Sequence, residues 1–378
     1  MDCKPPWTGA AALVICVASN ETTIPFSGQF GTDIPAVGSD PMPKHEDIPM
    51  IKFGLLGAGR IGKVHGATIA ASGKAVVAYV ADADAKAAAS LATSTGAKVA
   101  TVEDIIRAKD VDAILICTPT DTHADLIEAA AKAGKKVLCE KPVSLSAERT
   151  AACLRVVAAN KTLLMIGFNR RHDPNFAALE QRLRAGEIGT IELCTIISRD
   201  PAPPPVAYIE RSGGLFRDMM IHDFDMARFL VGEEFVSLHA FASSLVDPAI
   251  GKAGDVDTAS VHMRTATGKI AVITNSRRAT YGYDQRMEVH GSKGMLRAHN
   301  VHENTVEFAG AAGFTGAPVQ NFFLERYTAA YANEVAAFLD AIANGTEPKA
   351  NGHDGLMAQK LADAATESVK TGKMITVA

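Results

Sequence analysis

The chain is 378 residues long and 47% apolar, with 38 Lys+Arg against 42 Asp+Glu for a net charge of −4. At roughly 150 residues per domain, that length holds two domains or slightly more, each able to bury its own core, which excludes a small disulfide-stapled fold. The near-balanced charge, without any long basic run, excludes a nucleic-acid groove or an anionic membrane surface as the main partner and leaves small molecules.

Residues 1–49 carry Pro5-Pro6, scattered Gly, Ser and Thr, and no sustained period of helix or strand, so this leader is expected to be disordered. Two readings of it stand. Ala10 to Ala18 resembles the apolar centre of a signal peptide, although the preceding residues offer only Lys4, offset by Asp2. Alternatively, Met50 opens the functional chain and the leader is an upstream extension with no chemistry. The apolar run is well short of the roughly 18 residues that span a bilayer, so no transmembrane helix is expected. The six cysteines include no C-x-x-C pair, and several lie in strand-like runs such as Ile114-Leu115-Ile116-Cys117. Reduced, buried thiols in a cytoplasmic protein follow from that usage.

From Ile51 to Phe168, β-branched runs alternate with alanine-rich stretches. Strands are predicted over 51–56, 75–81, 98–100, 112–117, 136–140 and 163–168. Helices are predicted over 61–72, 84–94, 103–108, 122–133 and 146–160, with Ser146 capping the last and Gly134 ending the one before it. This β-α alternation predicts a doubly wound parallel sheet with helices on both faces, a domain of residues 50–168. Beyond Phe168 the pattern changes. Helices are predicted near 174–185 and, as one long apolar helix, near 213–231. Alternating strands follow at 190–198, 236–243, 258–265, 269–277, 285–291, 294–298 and 305–308, and helices at 325–344 and 353–371 close the chain. Residues 169–378 are therefore expected to form an α+β domain with a large, mostly antiparallel open sheet. Such a sheet needs its second apolar face covered, which predicts a homo-oligomer, a dimer or tetramer.

Three segments carry chemistry. Gly57-Ala58-Gly59-Arg60-Ile61-Gly62 is a G-x-G-x-x-G between a predicted strand and helix. Its first Gly permits a tight turn, its second lets the backbone approach a pyrophosphate, and its third lets helix and strand pack closely. The next strand ends at Asp82, where a carboxylate accepts hydrogen bonds from an adenosine ribose and repels a 2′-phosphate; NAD is expected rather than NADP. The second segment gathers Thr118-Pro119-Thr120 and Glu140-Lys141-Pro142 at the carboxyl ends of the fourth and fifth strands, where such sheets place ligands. Lys141 there is either an ordinary solvated lysine or an ammonium bonded to a substrate hydroxyl.

The third segment runs from Gly213 to Leu230. Asp218 and His222 lie four residues apart, so on one helix they share a face among Leu, Met and Phe. They are either a satisfied core pair or a histidine near its ordinary pKa of about 6.5, oriented by a carboxylate and ready to take a proton. Asp218, His222 and Asp225 lack the further ligands a metal needs, so no metal is expected.

The motifs GAGRIG, CTPTDTH, EKP and GGLFRDMMIHDFDM, in this order over residues 51–376, resemble those of the glucose-fructose oxidoreductase and inositol dehydrogenase (Gfo/Idh/MocA) family. The resemblance implies a Rossmann domain binding NAD through Gly57, Gly59, Arg60, Ile61, Gly62, Asp82, Thr118, Thr120, His123 and Glu140. It implies a catalytic set of Lys141, Asp218 and His222, and so favours the functional readings of the lysine and the Asp-His pair. Further runs, Gly167 to Pro174, Ser198 to Pro205 and Tyr281-Gly282-Tyr283-Asp284, are similar to those of the bacterial myo-inositol 2-dehydrogenase branch. By that resemblance Arg170, Asp200 and Tyr283 join Lys141, Asp218 and His222 around a cyclitol or sugar, while Arg170 and Asp200 also read as surface ion pairs. The implied reaction is NAD-dependent oxidation of myo-inositol to 2-keto-myo-inositol. Oxidation of another cyclic polyol or sugar, transient use of NAD in glycoside hydrolysis, and a non-catalytic NAD-binding regulator remain as other readings.

Overall fold

A buried strand followed by an alanine-rich stretch cannot pair with its successor without a crossover, and a right-handed helical crossover makes the pairing parallel. In the computed structural model, which describes Met50–Val377, the first part of the chain follows that rule. The expectations for residues 1–49 lie outside the described residues. The elements run β1 (Ile51–Leu56), α1 (Arg60–Ala71), β2 (Ala75–Ala81), α2 (Ala85–Thr95), β3 (Lys98–Val99), α3 (Val102–Arg107) and β4 (Ala113–Ile116). There follow α4 (His123–Lys132), β5 (Lys136–Cys139), α5 (Ala147–Ala159) and β6 (Leu164–Ile166). All pairings are parallel, in the order β3-β2-β1-β4-β5-β6, so the order reverses between β1 and β4. That reversal opens a crevice at the carboxyl ends of the strands, where the candidate ligand loops lie. As predicted, Ser146 caps α5 by accepting the Arg149 N–H.

The remaining elements are α6 (Pro174–Arg184), β7 (Ile191–Arg199), α7 (Val206–Ser212), α8 (Gly214–Asp218), α9 (Ile221–Val231), β8 (Phe235–Ser243) and α10 (Pro248–Lys252). Then come β9 (Thr258–Thr265), β10 (Ile270–Ser276), β11 (Asp284–Gly291), β12 (Gly294–Ala298), β13 (Glu307–Gly310) and β14 (Gly313–Gly316). The chain ends with α11 (Phe323–Arg326), α12 (Thr328–Asn344), α13 (Gly352–Thr371) and β15 (Ile375–Thr376). The large sheet has the order β12-β11-β7-β10-β9-β8-β15 and is antiparallel except at β7 and β10, which run parallel. One face buries Cys194, Ile196, Val261, Met263, Ala271 and Ile273 under the helices. The other exposes Leu193, Ile270, Phe241 and Met295.

Three expected elements are corrected. The helix predicted over 213–231 is broken at Met219–Met220 into α8 and α9. Apolar periodicity runs through the break because both halves are buried, so it carries no sign of the bend. The helix predicted over 325–344 is interrupted at Tyr327. The strand predicted over 305–308 belongs to no large sheet: β13 pairs only with β14, and both are exposed along their length.

α12 returns to the first sheet. Its Val335, Phe338 and Leu339 share a core cluster with Phe53, Val77 and Leu115, and the Phe338 and Phe53 rings lie 5.9 Å apart. A buried ion network joins the chain after β6 to α9 and α13. Arg171 donates to both Asp225 oxygens at 2.8 and 2.6 Å, and to Asp354 at 3.1 Å. The two-pronged guanidinium geometry satisfies charges that burial would otherwise penalise by several kcal/mol, on the order of what desolvation costs an ion. Among the described residues no helix is long and apolar enough to cross a membrane.

Candidate active site

The loop between β1 and α1 is shaped by its glycines. Gly57 has φ +100°, and a Cβ there would lie 2.5 Å from the Cys117 backbone at the end of β4. A Cβ on Gly62 would lie 2.0 Å from the Gly57 carbonyl oxygen, so the helix can approach the strand this closely only through glycine. Around Gly59, by contrast, a Cβ would meet nothing within 4 Å, and this residue caps α1 with no side chain on the helix N–H groups. A bare backbone at the N-terminus of a 12-residue helix fits a dinucleotide pyrophosphate. Replacing Gly62 with Ala is expected to force the loop off α1, weakening NAD binding about tenfold or more in titration, the effect of roughly 1.4 kcal/mol. Unchanged affinity would show that the loop tolerates the displacement.

Asp82 stands at the end of β2. It accepts the Ala58 N–H at 2.5 Å and the Asp84 N–H at 2.7 Å, so the carboxylate is fixed against the glycine loop. Arg60 lies over the Phe322 ring at 5.5 Å, and the Ile61 side chain packs into the core beneath. At the ends of β4 and β5, the Thr118 and Thr122 hydroxyls pair at 2.6 Å, and Thr120 begins a short 3-10 turn, Thr120–Thr122. Glu140 pairs with the His65 ring at 2.8 Å.

His123 is placed otherwise than expected. It is 1% exposed, with ring nitrogens 2.8 Å from the Pro142 carbonyl and 2.7 Å from that of Thr118. It therefore clamps the two loops together and presents no free nitrogen to a cofactor.

Lys141 reaches from the end of β5 to the end of α8. Its ammonium donates to the Asp218 carbonyl at 2.7 Å and approaches the Asp218 carboxylate at 3.5 Å. That carboxylate also accepts the Tyr208 hydroxyl at 2.9 Å and faces Arg277 at 3.6 Å. Burial, with Asp218 beside it, pushes the Tyr208 hydroxyl pKa up, so the phenol stays a donor. Asp218 was expected to orient His222; the structure joins it to Lys141, Tyr208 and Arg277 instead. Met219 and Met220 interrupt the helix between the two residues, which end one helix and begin the next. His222 has its Nδ1 buried without a partner, and its ring meets Phe168 edge-on with centroids 6.2 Å apart. Burial lowers its pKa well below the ordinary value, and the Lys141 and Arg170 charges push it the same way. The imidazole is neutral at pH 7 and free to accept a proton.

Arg170 is no surface residue: it is 2% exposed and donates to Asp223 and, at 3.1 Å, to Ser198. Asp223 in turn accepts from Ser198 at 2.5 Å and Asn275 at 2.9 Å. Tyr283 is buried, its ring perpendicular to that of Tyr327 at 5.9 Å. Asp200, directly after β7, is half-buried and lies 3.9 Å from Arg277, and burial raises its pKa to about 6 against the pull of that guanidinium.

The fold thus brings Lys141, Asp218, His222 and Asp200 together beside Arg170 and Tyr283. Tyr208, Asp223, Ser198, Asn275 and Arg277 were not anticipated. Asp223 directly follows His222 and Ser198 nearly adjoins Asp200, so proximity in the motifs was an available signal. Arg277, in an ordinary polar Ser-Arg-Arg stretch, had none.

Comparison with known proteins gives this arrangement its context. Residues 51–168 match the model of an oxidoreductase family with an NAD-binding Rossmann fold, and residues 176–297 match the GFO/IDH/MocA C-terminal domain. An inositol 2-dehydrogenase of Rhizobium meliloti is 56% identical over 87% of this chain and 99% of its own. The crystal structure of a myo-inositol dehydrogenase from Corynebacterium glutamicum superposes with a TM-score of 0.84 at 43% identity, over 87% of this chain and 99% of that one. A scyllo-inositol dehydrogenase from Lactobacillus casei, solved with NAD(H) and scyllo-inositol, superposes with a TM-score of 0.81 at 31% identity, over 87% and 99% of the two chains. With both domain models matched in order and the identity spread across nearly the whole of such relatives, the chain belongs to the GFO/IDH/MocA family of oxidoreductases.

Proposed function

We propose that this protein is an NAD-dependent dehydrogenase that oxidises myo-inositol to 2-keto-myo-inositol, with residues 50–168 holding the cofactor and residues 169–378 the polyol. The observation that carries the reading is the meeting of Lys141, His222, Asp218 and Asp200 at the carboxyl end of a sheet whose glycine loop fits a dinucleotide. The chemistry that NAD supplies when bound is hydride acceptance at nicotinamide C4 from the alcohol carbon. His222, neutral at pH 7, takes the hydroxyl proton. Lys141 donates to the reacting oxygen and stabilises the negative charge that grows on it. Asp218 anchors the Lys141 ammonium. Asp200 and Tyr283 hydrogen-bond the other ring hydroxyls, and Arg170, spent on Asp223, holds the pocket wall. Lys141, Arg170 and Arg277 balance Asp200, Asp218 and Asp223, which suits a neutral polyol better than a phosphorylated one.

A panel of cyclitols, sugars and simple alcohols, followed by NADH absorbance, tests the assignment. Each hydroxyl missing from a buried polar partner costs about 1–3 kcal/mol, so myo-inositol should surpass cyclohexanol by several orders of magnitude in kcat/KM. D-glucose, whose pyranose ring places most hydroxyls alike, should react weakly. No NADH from myo-inositol, while another sugar gives it, would move the assignment to that sugar.

Cofactor choice follows from Asp82. With its carboxylate fixed where the ribose hydroxyls bind, NAD should exceed NADP about tenfold or more in kcat/KM, corresponding to roughly 1.4 kcal/mol of repulsion. Equal use of both would remove the argument. We further propose a homo-oligomer, a dimer or tetramer, covering the open face of the large sheet that carries Leu193, Ile270, Phe241 and Met295. The buried free thiols of Cys117, Cys139, Cys153 and Cys194 support a cytoplasmic location.

A further inference from the structure

We propose that Arg277 is a positioning residue of the polyol site, its buried guanidinium lying between the Asp200 and Asp218 carboxylates and holding the two close together; this rests on the polyol-oxidising reading above. The argument begins in the sheet. β7 and β10 are the one parallel pair in the large sheet, and their register matches Arg199 with Ser276. Both strands therefore end at the same edge, with the Asp200 N–H donated to the Ser276 carbonyl at 3.0 Å. Asp200 and Arg277 leave the sheet side by side.

Arg277 is 1% exposed, and its Nε and Nη2 are buried with no hydrogen-bond partner. An isolated buried guanidinium is strongly penalised, so its charge must be compensated electrostatically. The compensation is visible: Nη1 lies 3.9 Å from Asp200 and Nη2 lies 3.6 Å from Asp218. Among the described residues no other cation comes as close to the Asp200 carboxylate. Arg277 thus links a residue placed against the ring hydroxyls to the one that anchors Lys141.

The charges facing Asp200 come from four elements. Arg277 after β10 and Arg170 in the turn after β6 favour its ionised form; Asp218 at the end of α8 and Asp223 in α9 oppose it, and burial opposes it most. Tyr283 before β11 is close as well, its hydroxyl held protonated by burial. Removing the nearer cation leaves burial and two carboxylates opposed only by the more distant Arg170. Asp200 then takes up a proton at higher pH, and a protonated carboxyl accepts ring hydroxyls poorly.

The full-length enzyme labelled with aspartate 13C at the carboxyl carbon reads this directly by NMR, with the Asp200 signal assigned by its loss in Asp200→Asn. In Arg277→Gln the Asp200 midpoint should rise by about one pH unit or more, and Arg277→Lys, which keeps the charge, should return it toward the wild-type value. Arg277→Met, which fills the same buried space without the charge, replaces the glutamine variant where that fails to fold. In turnover, KM for myo-inositol should rise more near pH 6 than near pH 9, with kcat changed less. An unmoved Asp200 midpoint in a folded neutral variant, or equal loss of activity at every pH, overturns the proposal. Failure of the wild-type enzyme to oxidise any cyclic polyol overturns the reading of function alone, because the Asp200 titration needs no substrate.

Discussion

Replacing His222 with Ala is expected to lower kcat by roughly 10²–10⁴, the usual worth of a positioned acid-base group, while NAD affinity in titration stays unchanged. The split follows from location. His222 lies in the first turn of α9 and packs against Phe168, whereas the glycine loop is held by the Asp82 carboxylate on the Ala58 N–H. Its removal therefore takes away the proton acceptor and leaves the dinucleotide cradle intact. The pH dependence has a definite sign. Burial, reinforced by Lys141 and Arg170, lowers the imidazole pKa, so the base is already deprotonated at neutral pH. Activity should be lost to its protonation only as pH falls below about 6.5, the ordinary histidine value. A histidine hydrogen-bonded to an Asp218 carboxylate would titrate higher and lose activity nearer neutrality. Survival of kcat in the variant would make another residue, or water, the base.

Asp223→Ala should be the most damaging single change to stability at the site, costing about 3–5 kcal/mol in chemical denaturation. Asp223 is fully buried and is the carboxylate on which Arg170, Ser198 and Asn275 converge. Without it Arg170, 2% exposed, becomes an uncompensated buried cation, the Asn275 amide loses its acceptor, and Ser198 is left with the longer bond to Gln285. The control is the double variant Arg170→Met, Asp223→Leu. Replacing both charges by apolar groups removes the desolvation cost together with the attraction, so it should be far less damaging than Asp223→Ala. A loss below about 1 kcal/mol for the single variant would mean that the guanidinium finds water, and that the pocket wall is softer than its burial implies.

Both predictions depend on residues that stand next to each other in the sequence, yet only one of them announced itself. His222 was recognisable because it lies four residues from Asp218 in an apolar segment; Asp223 was hidden by the same segment, being one more acidic residue beside it. The glycine loop, Asp82, Lys141 and the alternation of strands and helices were likewise legible. Each depends on short-range rules: the period of two or 3.6 residues, a turn that only glycine can make, a ligand loop that directly follows a strand. β1 and β2 fall on the residues predicted for them, 51–56 and 75–81, for that reason.

What the chain could not disclose locally depends on contacts between distant residues. Nothing in the run from Gly213 to Leu230 marks the bend at Met219–Met220, because hydrophobic periodicity is the same whether one helix or two is buried there. Yet Asp218, at the end of the first half, reaches Lys141 and Tyr208, partners that lie outside that run. His123 carried the composition of a ligand residue, and only the positions of the Thr118 and Pro142 carbonyls make it a clamp. The pairing of β7 with β10, parallel amid antiparallel neighbours, joins residues some eighty positions apart and sets Asp200 beside Arg277. Strand composition carries no information about the direction of such a partner. Periodicity and turn chemistry are properties of neighbouring residues and so can be read from the chain, whereas the burial and charge of a site are sums over everything packed around it, and these exist only in the folded protein.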